Sequence, residues 1–221
     1  MTNLTVDDLK KDFEIETYLS SGTAFLSQLG YTEHGKRHAA IISDRAYRVL
    51  EELAYEERDC QLAAMAGYLH DIGNMVNRYN HGITGSVMAY NILSRLGMLP
   101  QEIALVVSAI GNHEEERGNA VNHVAAALIL ADKSDVHRAR VTTKDFAKFE
   151  IHDRVNYAAE KSKLITNPSL KTITLEVTID TTICPVMEYF EIFLARMIMS
   201  KRAAEFLGCQ FHLVINKNQL L

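Results

Sequence analysis

The stretch Leu62–Asn74 (Leu-Ala-Ala-Met-Ala-Gly-Tyr-Leu-His-Asp-Ile-Gly-Asn) constrains this chain more than any other. Small and apolar residues fill nearly every face of a helix drawn through it, so that helix must be buried among other elements. At its end His70 and Asp71 stand side by side. Imidazole and carboxylate are both metal-ligand types, and adjacent ligands can share an ion when others converge from elsewhere. Gly73 suits a helix end or tight turn. A His-Asp pair alone is weak evidence, because such pairs are commonly solvated or satisfied in a core.

The chain has 221 residues, 48% hydrophobic and 23% charged, the balance of a globular protein with a substantial core. A net charge of −5 gives no sign of a general nucleic-acid or membrane-surface binder. An anionic substrate would then need local positive charge or a metal. Cys60, Cys184 and Cys209 are far apart, with no Cys-x-x-Cys pattern. Their odd number, without a signal peptide, favours a reducing cytoplasm. No apolar run has the roughly 18–20 residues needed to span a bilayer. Of nine histidines, seven fall between His34 and His137, where the question of a metal lies.

Thr5 and Asp8 mark a short helix start. Phe13–Leu29 continues as one or two helices with Phe13, Tyr18, Phe25 and Leu29 at helical spacing, ended by Gly30, and 1–30 reads as a packing arm or lid. His38 opens a helix to about Glu57, with Ala40, Ile41, Val49, Leu50 and Leu53 as core candidates. His34, Lys36 and Arg37 read as solvated. After the loop Met75–His81 a helix runs from Gly82 to Leu96, with Val87, Ala89, Ile92, Leu93 and Leu96 inward. Pro100 sits in the first turn of the next, Gln101–Ile110. His123 to about His137 is strongly apolar and carries Asp132 directly after its apolar run. A buried carboxylate there must be paired or coordinate a metal; an ion pair with a core-facing Arg or Lys is the alternative.

Thr142–Leu164 reads as a polar helix. Leu170–Asp180 then alternates and is β-branched, predicting a strand. Pro185 to about Leu207 predicts a long helix closed by Gly208, and Gln210–Asn216 a second strand. Strand–helix–strand predicts parallel pairing through a right-handed crossover. Two strands are too few for an isolated sheet, so they must lie on the helical part or extend across a dimer. Met187, Met197 and Met199 read as core. The expected division is a helical arm (1–30), a helical metal-binding domain (31–165) and a strand–helix–strand subdomain (166–221). The fold class is mainly α, with a small α+β extension.

The candidates therefore run His38, His70, Asp71, His81, His113 and Asp132, each at or near a predicted helix end. The order His…His-Asp…Asp resembles the HD superfamily of metal-dependent phosphohydrolases over roughly Tyr31–Arg140. Its most specific pieces are Ala66-Gly67-Tyr68-Leu69-His70-Asp71-Ile72-Gly73 and Leu130-Ala131-Asp132-Lys133-Ser134-Asp135. The resemblance implies a helical bundle in which His38, His70, Asp71 and Asp132 hold a first metal. It also implies that His81 and His113 match the extra histidines of subgroups with a dinuclear centre, with Asp71 bridging. The phrase Asn112-His113-Glu114 resembles the His-Thr or His-His of those subgroups but differs from it, and the sequence departs from them in three further ways. Asn74 stands where many relatives carry lysine, the Gly-Tyr-Pro motif is absent, and His81 follows Asp71 closely.

The implied cofactor is one or two divalent transition-metal ions, with Fe, Mn, Zn and Ni equally compatible with the donors. The implied activity is hydrolysis of a phosphoester or phosphoanhydride bond in a nucleotide or other small phosphorylated substrate, by water activated at the metal. Asp71, Glu114 and Lys133 are the candidate catalytic residues. Glu114 would orient a ligand or water; its alternative is a solvated loop acid. Lys36, Arg37, Lys133 and Arg138 are candidate phosphate contacts, with a solvated surface as the alternative for each. The rival readings are a regulatory HD module that binds nucleotide or metal without turnover and, more remotely, a di-iron oxygenase. No duplex nucleic acid or membrane partner is expected, and the C-terminal subdomain is the candidate homodimer surface.

Overall fold

The computed structural model describes residues 4–115, 117–143 and 145–220. Thr5 opens a one-turn helix α1 (Val6–Leu9), its backbone N–H donating to the Asp8 carboxylate. Asp12 caps α2 (Phe13–Gln28) through the N–H groups of Glu14 and Ile15. The buried side of α2 is Ile15, Leu19, Gly22 and Leu26. Phe13, Phe25 and Leu29, expected to pack, are exposed. Two apolar stripes compete on this helix, and the one with the small Gly22 wins because α2 presses there against the backbone of Asn74 and Met75.

The bundle proper is α3 (Lys36–Glu52), α4 (Glu57–Leu69), α5 (His81–Arg95), α6 (Pro100–Gly111) and α7 (His123–Lys133). Every residue of α4 from Leu62 to Leu69 is buried, and so is every residue of α7 from Val124 to Ala131. These two helices, apolar through those stretches, are in contact and form the middle of the bundle, with α3 and α6 also packed on both. Two spans are shorter than the sequence suggests. The helix from His38 stops at Glu52, where Ala54 takes a positive φ of 60°. The helix from His123 stops at Lys133, and a 3-10 turn Arg138–Arg140 follows. Leu62–Asn74 itself is helix only to Leu69, then a turn and a 3-10 segment Ile72–Met75. On α5 the inward residues are His81, Gly82, Gly85, Ala89, Ile92 and Leu93, while Val87 is exposed.

The C-terminal third differs most from expectation. The predicted polar helix Thr142–Leu164 is a 3-10 turn (Phe146–Lys148), a short helix α8 (Ile151–Ala158) and an edge strand β1 (Ala159–Asn167). The strand is masked in the sequence because Glu160, Lys161 and Lys163 give it a charged outer face, a common device at a sheet edge. β1 pairs antiparallel with β2 (Thr172–Ile179), which pairs parallel with β3 (Gln210–Ile215), as the crossover helix α9 (Val186–Phe206) requires. A two-residue strand β4 (Asn218–Gln219) closes the sheet after Asn216 and Lys217, both at positive φ as a tight hairpin demands. The sheet thus has four strands, order β1-β2-β3-β4, and residues 166–169 lie at the end of β1 and in its turn to β2. Ile173, Leu175 and Val177 stand opposite Phe211, Leu213 and Ile215, and all six are buried. Met197 and Met199 join the core, but Met187 at the start of α9 is exposed. No helix among the described residues is long and apolar enough to cross a membrane.

Candidate metal centre

Two glycines set the centre's frame. A Cβ on Gly67 would come within 2.9 Å of the Ile42 backbone, so α4 lies directly on α3, which carries His38 four residues earlier. A Cβ on Gly73 would meet the His81 carbonyl at 2.1 Å, so the turn after Asp71 lies directly on the start of α5. These contacts bring His38 and His81 to opposite sides of the His70–Asp71 pair. The end of α6 adds His113, and the last turn of α7 adds Asp132.

The first cluster is His38 Nε2, His70 Nε2, Asp71 Oδ2 and Asp132 Oδ1. The two nitrogens lie 3.2 Å apart; His38 Nε2 is 3.3 Å from Asp132 and 3.7 Å from Asp71. His70 Nε2 is 3.3 Å from Asp71 Oδ2 and 3.7 Å from Asp132 Oδ1. The second cluster shares Asp71 through its other oxygen. His81 Nε2 is 3.1 Å from His113 Nε2 and 3.2 Å from Asp71 Oδ1. Nitrogen and oxygen donors held at ~2.1 Å from one ion are separated by roughly 3–3.5 Å, so both clusters have the dimensions of a coordination shell. His38, His70, Asp71, His81 and His113 are buried, and Asp132 nearly so.

The hydrogen bonds around the clusters fix the chemical form of each donor. His38 Nδ1 faces the Asp135 carboxylate at 2.7 Å. His70, His81 and His113 turn Nδ1 to the carbonyls of Gly67, Arg78 and Ile110 at 2.8, 2.9 and 2.6 Å. An N–H must therefore sit on each Nδ1, and each Nε2 turns its lone pair inward. Lone pairs facing lone pairs at 3.2 Å repel unless a cation lies between them. Among the described residues Asp71 Oδ2, fully buried, has no hydrogen-bond partner, and this orphaned acceptor belongs to the first cluster. Donor set, tautomers and orphaned oxygen all fit a bound divalent metal.

The protonation balance agrees. Burial opposes charge on Asp71, but the adjacent His70, His34 and His81 imidazoles hold its pKa well below the ordinary carboxylate range. Asp132 is likewise lowered against its burial, chiefly by Lys133 and His38. Burial and the neighbouring His70 and His81 keep His113 neutral, its pKa well below normal. His70 is the exception: burial would lower its pKa, yet the Asp71 carboxylate beside it raises it, so the cluster draws positive charge onto itself.

Beside the clusters is a cavity of about 390 Å³. Glu114 lines it and holds His81 in place, accepting from the Gly82 N–H and lying 3.0 Å from His81 Nδ1. Lys133 lines it too, its Nζ 2.8 Å from Asp132 Oδ2. Three earlier candidates for phosphate contact are engaged elsewhere. Lys36 pairs with Glu16, Arg37 with Glu33 and Asp135, and Arg138 with Glu160. The cavity's other cations are Arg78, Arg117, Arg140 and Arg196, which no sequence pattern announced. His34, expected to be solvated, lines the same cavity; burial and the charge of Arg140 push its pKa well below normal. Asn74 donates to Asp71 Oδ1 at 2.8 Å and so orients the shared carboxylate.

Residues 37–137 match the family model of the HD domain. The chain carries an HD domain. It holds the four first-cluster residues and both further histidines. A relative among curated proteins is an uncharacterized protein of Methanocaldococcus jannaschii, 28% identical over 158 residues. The match takes in 61% of this chain and 60% of the relative's length. The match ends at residue 137, just before the 3-10 turn 138–140, so α8, the sheet and α9 lie outside the matched residues.

Proposed function

We propose that the protein hydrolyses a phosphoester or phosphoanhydride bond in a small anionic substrate, a nucleotide or similar compound, at a centre of one or two divalent metal ions. The observation that carries this reading is the Asp71 carboxylate. It is buried and ionised, splits its two oxygens between two histidine pairs, and has one oxygen with no partner. His38, His70, Asp71 and Asp132 would hold the first ion, and Asp71, His81 and His113 the second. Bound there, a divalent ion lowers the pKa of water and neutralises charge on a phosphoryl group.

The chain's own residues do the rest. Asp135 and the carbonyls of Gly67, Arg78 and Ile110 keep the imidazoles in the ligating tautomer. Glu114 fixes His81 and stands in the cavity wall as a proton acceptor within reach of its Nδ1. Lys133, Arg78, Arg117, Arg140 and Arg196 surround the cavity with positive charge in a chain whose net charge is −5, and would neutralise phosphoryl oxygens during in-line displacement. The test is the Asp71→Ala variant. Bound metal and hydrolysis across a panel of nucleotides and phosphomonoesters should be lost together, with activity down by about a thousandfold or more. Retained hydrolysis in that variant rejects the proposal.

A further inference from the structure

We propose that Arg196, carried on α9 outside the HD domain, is a substrate-binding residue that grips a phosphoryl group at the metal centre; the C-terminal unit thereby completes the active site. This rests on the phosphohydrolase reading above.

Arg196 lies one turn past Phe193, in the middle of α9, and lines the same cavity as Asp71, His81, His113 and Asp132. Its guanidinium lies over the fully buried Phe193 ring, 4.3 Å from the centroid, which fixes its position. Nε donates to Glu115 Oε1 at 2.7 Å. Among the described residues, its terminal Nη groups make no hydrogen bond. The side chain is only 18% exposed, so water has limited access to those donors. Glu115 is a shared partner: the same Oε1 lies 3.6 Å from Lys133 Nζ.

One carboxylate thus stands between two cations in a cavity that faces the metal ligands. That arrangement is already the recognition of an oxyanion, and it leaves positive charge to spare. Arg78, Arg117, Lys133, Arg140 and Arg196 face Asp71, Glu114, Glu115 and Asp132, and bound divalent metal would make the cavity more positive still. The Nη edge of a guanidinium is the fork that takes two oxygens of a phosphoryl group. Arg140 cannot serve in the same way, because it is committed to the carbonyls of Glu33 and Asp135. Arg196 has its fork available, and it is the cavity's cation from α9.

The experiment uses the full chain loaded with Mn²⁺ and titrated calorimetrically with methylenediphosphonate, a diphosphate mimic whose bridge cannot be hydrolysed. Arg196→Ala should weaken binding about tenfold to a hundredfold. Arg196→Lys, which keeps the charge and loses the fork, should fall between. Metal per chain should be unchanged in both. Glu115→Gln, which removes the internal competitor, should bind at least as well as the parent. Binding by Arg196→Ala within twofold of the parent overturns the inference, as does a parent that does not bind the probe. The two proposals fail separately. A parent that hydrolyses phosphoesters while Arg196→Ala binds normally rejects the role of Arg196 alone. A parent that turns nothing over while Arg196→Ala loses the probe rejects only the hydrolase reading.

Discussion

The two halves of the metal centre use the same kinds of ligand but stand in different surroundings. In the first cluster, His38 has a carboxylate behind it: Asp135, itself held by Arg37 and by the Arg140 guanidinium 3.8 Å away. In the second, His113 has only the Ile110 carbonyl on Nδ1, and His81 has the Arg78 carbonyl together with the part-exposed Glu114 carboxylate 3.0 Å away. Asp71 divides along the same line. Its Oδ2, toward the first cluster, has no partner, whereas its Oδ1, toward the second, accepts from Asn74 and has Arg78 Nη1 3.8 Å away. Arg78 Nη1 also approaches His81 Nε2 at 3.4 Å. A cation entering the first cluster finds unsatisfied donors with a strengthened imidazole. One entering the second must displace a guanidinium. Ligand identity alone does not rank two metal sites; what already occupies their lone pairs does.

The largest effect should separate the two halves directly. His38→Ala should leave less than one ion per chain after dialysis, because it breaks the cluster with the stronger claim. His81→Ala should keep one. Each loss should exceed roughly a hundredfold in affinity at its own site, since even outer-sphere changes reach that scale. Elemental analysis of both variants, purified without chelator and without oxygen, decides it. Equal losses from the two variants would mean that the halves form one indivisible site and would break the comparison.

Next in size is Asp135→Asn. The amide keeps the shape and can still accept from His38 Nδ1, but the negative charge that raises imidazole basicity is gone. Affinity for the tighter ion should fall about tenfold to a hundredfold, with occupancy of the weaker site unaltered. A chelator-competition titration reads both. An unchanged tight site would show that Asp135 serves the fold through Arg37 and Arg140 rather than the ligand.

This ranking also explains what was legible in the sequence. His38, His70, Asp71, His81, His113 and Asp132 stand out because each lies at a helix end that apolar periodicity marks, and helix ends are where a bundle can converge polar groups. The buried character of Leu62–Leu69 and Val124–Ala131 follows from composition alone. The surroundings that rank the two halves are not legible in that way. Arg78, Arg140 and Arg196 sit in a loop, a 3-10 turn and the middle of a long helix, and each meets the centre only through tertiary packing. Arg37 and Lys36 look like equal candidates in sequence, yet Glu33 and Glu16 claim them first. The missed strand β1 has the same origin, because a charged edge strand and a polar helix surface have much the same composition. Its consequence reaches the centre. Ser162 on β1 donates to the Ser134 carbonyl, and Arg45 ties the Ser134 hydroxyl to the Ser162 carbonyl, which anchors the turn that carries Asp135.

The smallest effect is the sharpest test of why the halves differ. Arg78 Nη1 stands near both Asp71 Oδ1 and His81 Nε2, with the side chain 27% exposed and the guanidinium 5.9 Å from the Tyr31 ring. If competition by this cation weakens the second half, Arg78→Gln should tighten the second ion by roughly twofold to fivefold, the scale of a partly exposed ion pair. The first ion should be unaffected, because no hydrogen bond or ion pair joins Arg78 to His38, His70 or Asp132. The sign is what matters. Loss of an arginine that merely supported the fold would weaken both ions or neither, whereas relief of competition strengthens one alone. A second ion that binds more weakly in Arg78→Gln would mean that the guanidinium holds Asp71 Oδ1 and His81 in register rather than competing for them. The weaker half would then owe its rank to the carboxylates behind the histidines, since Asp135 behind His38 is buried whereas Glu114 behind His81 is partly exposed and His113 has none.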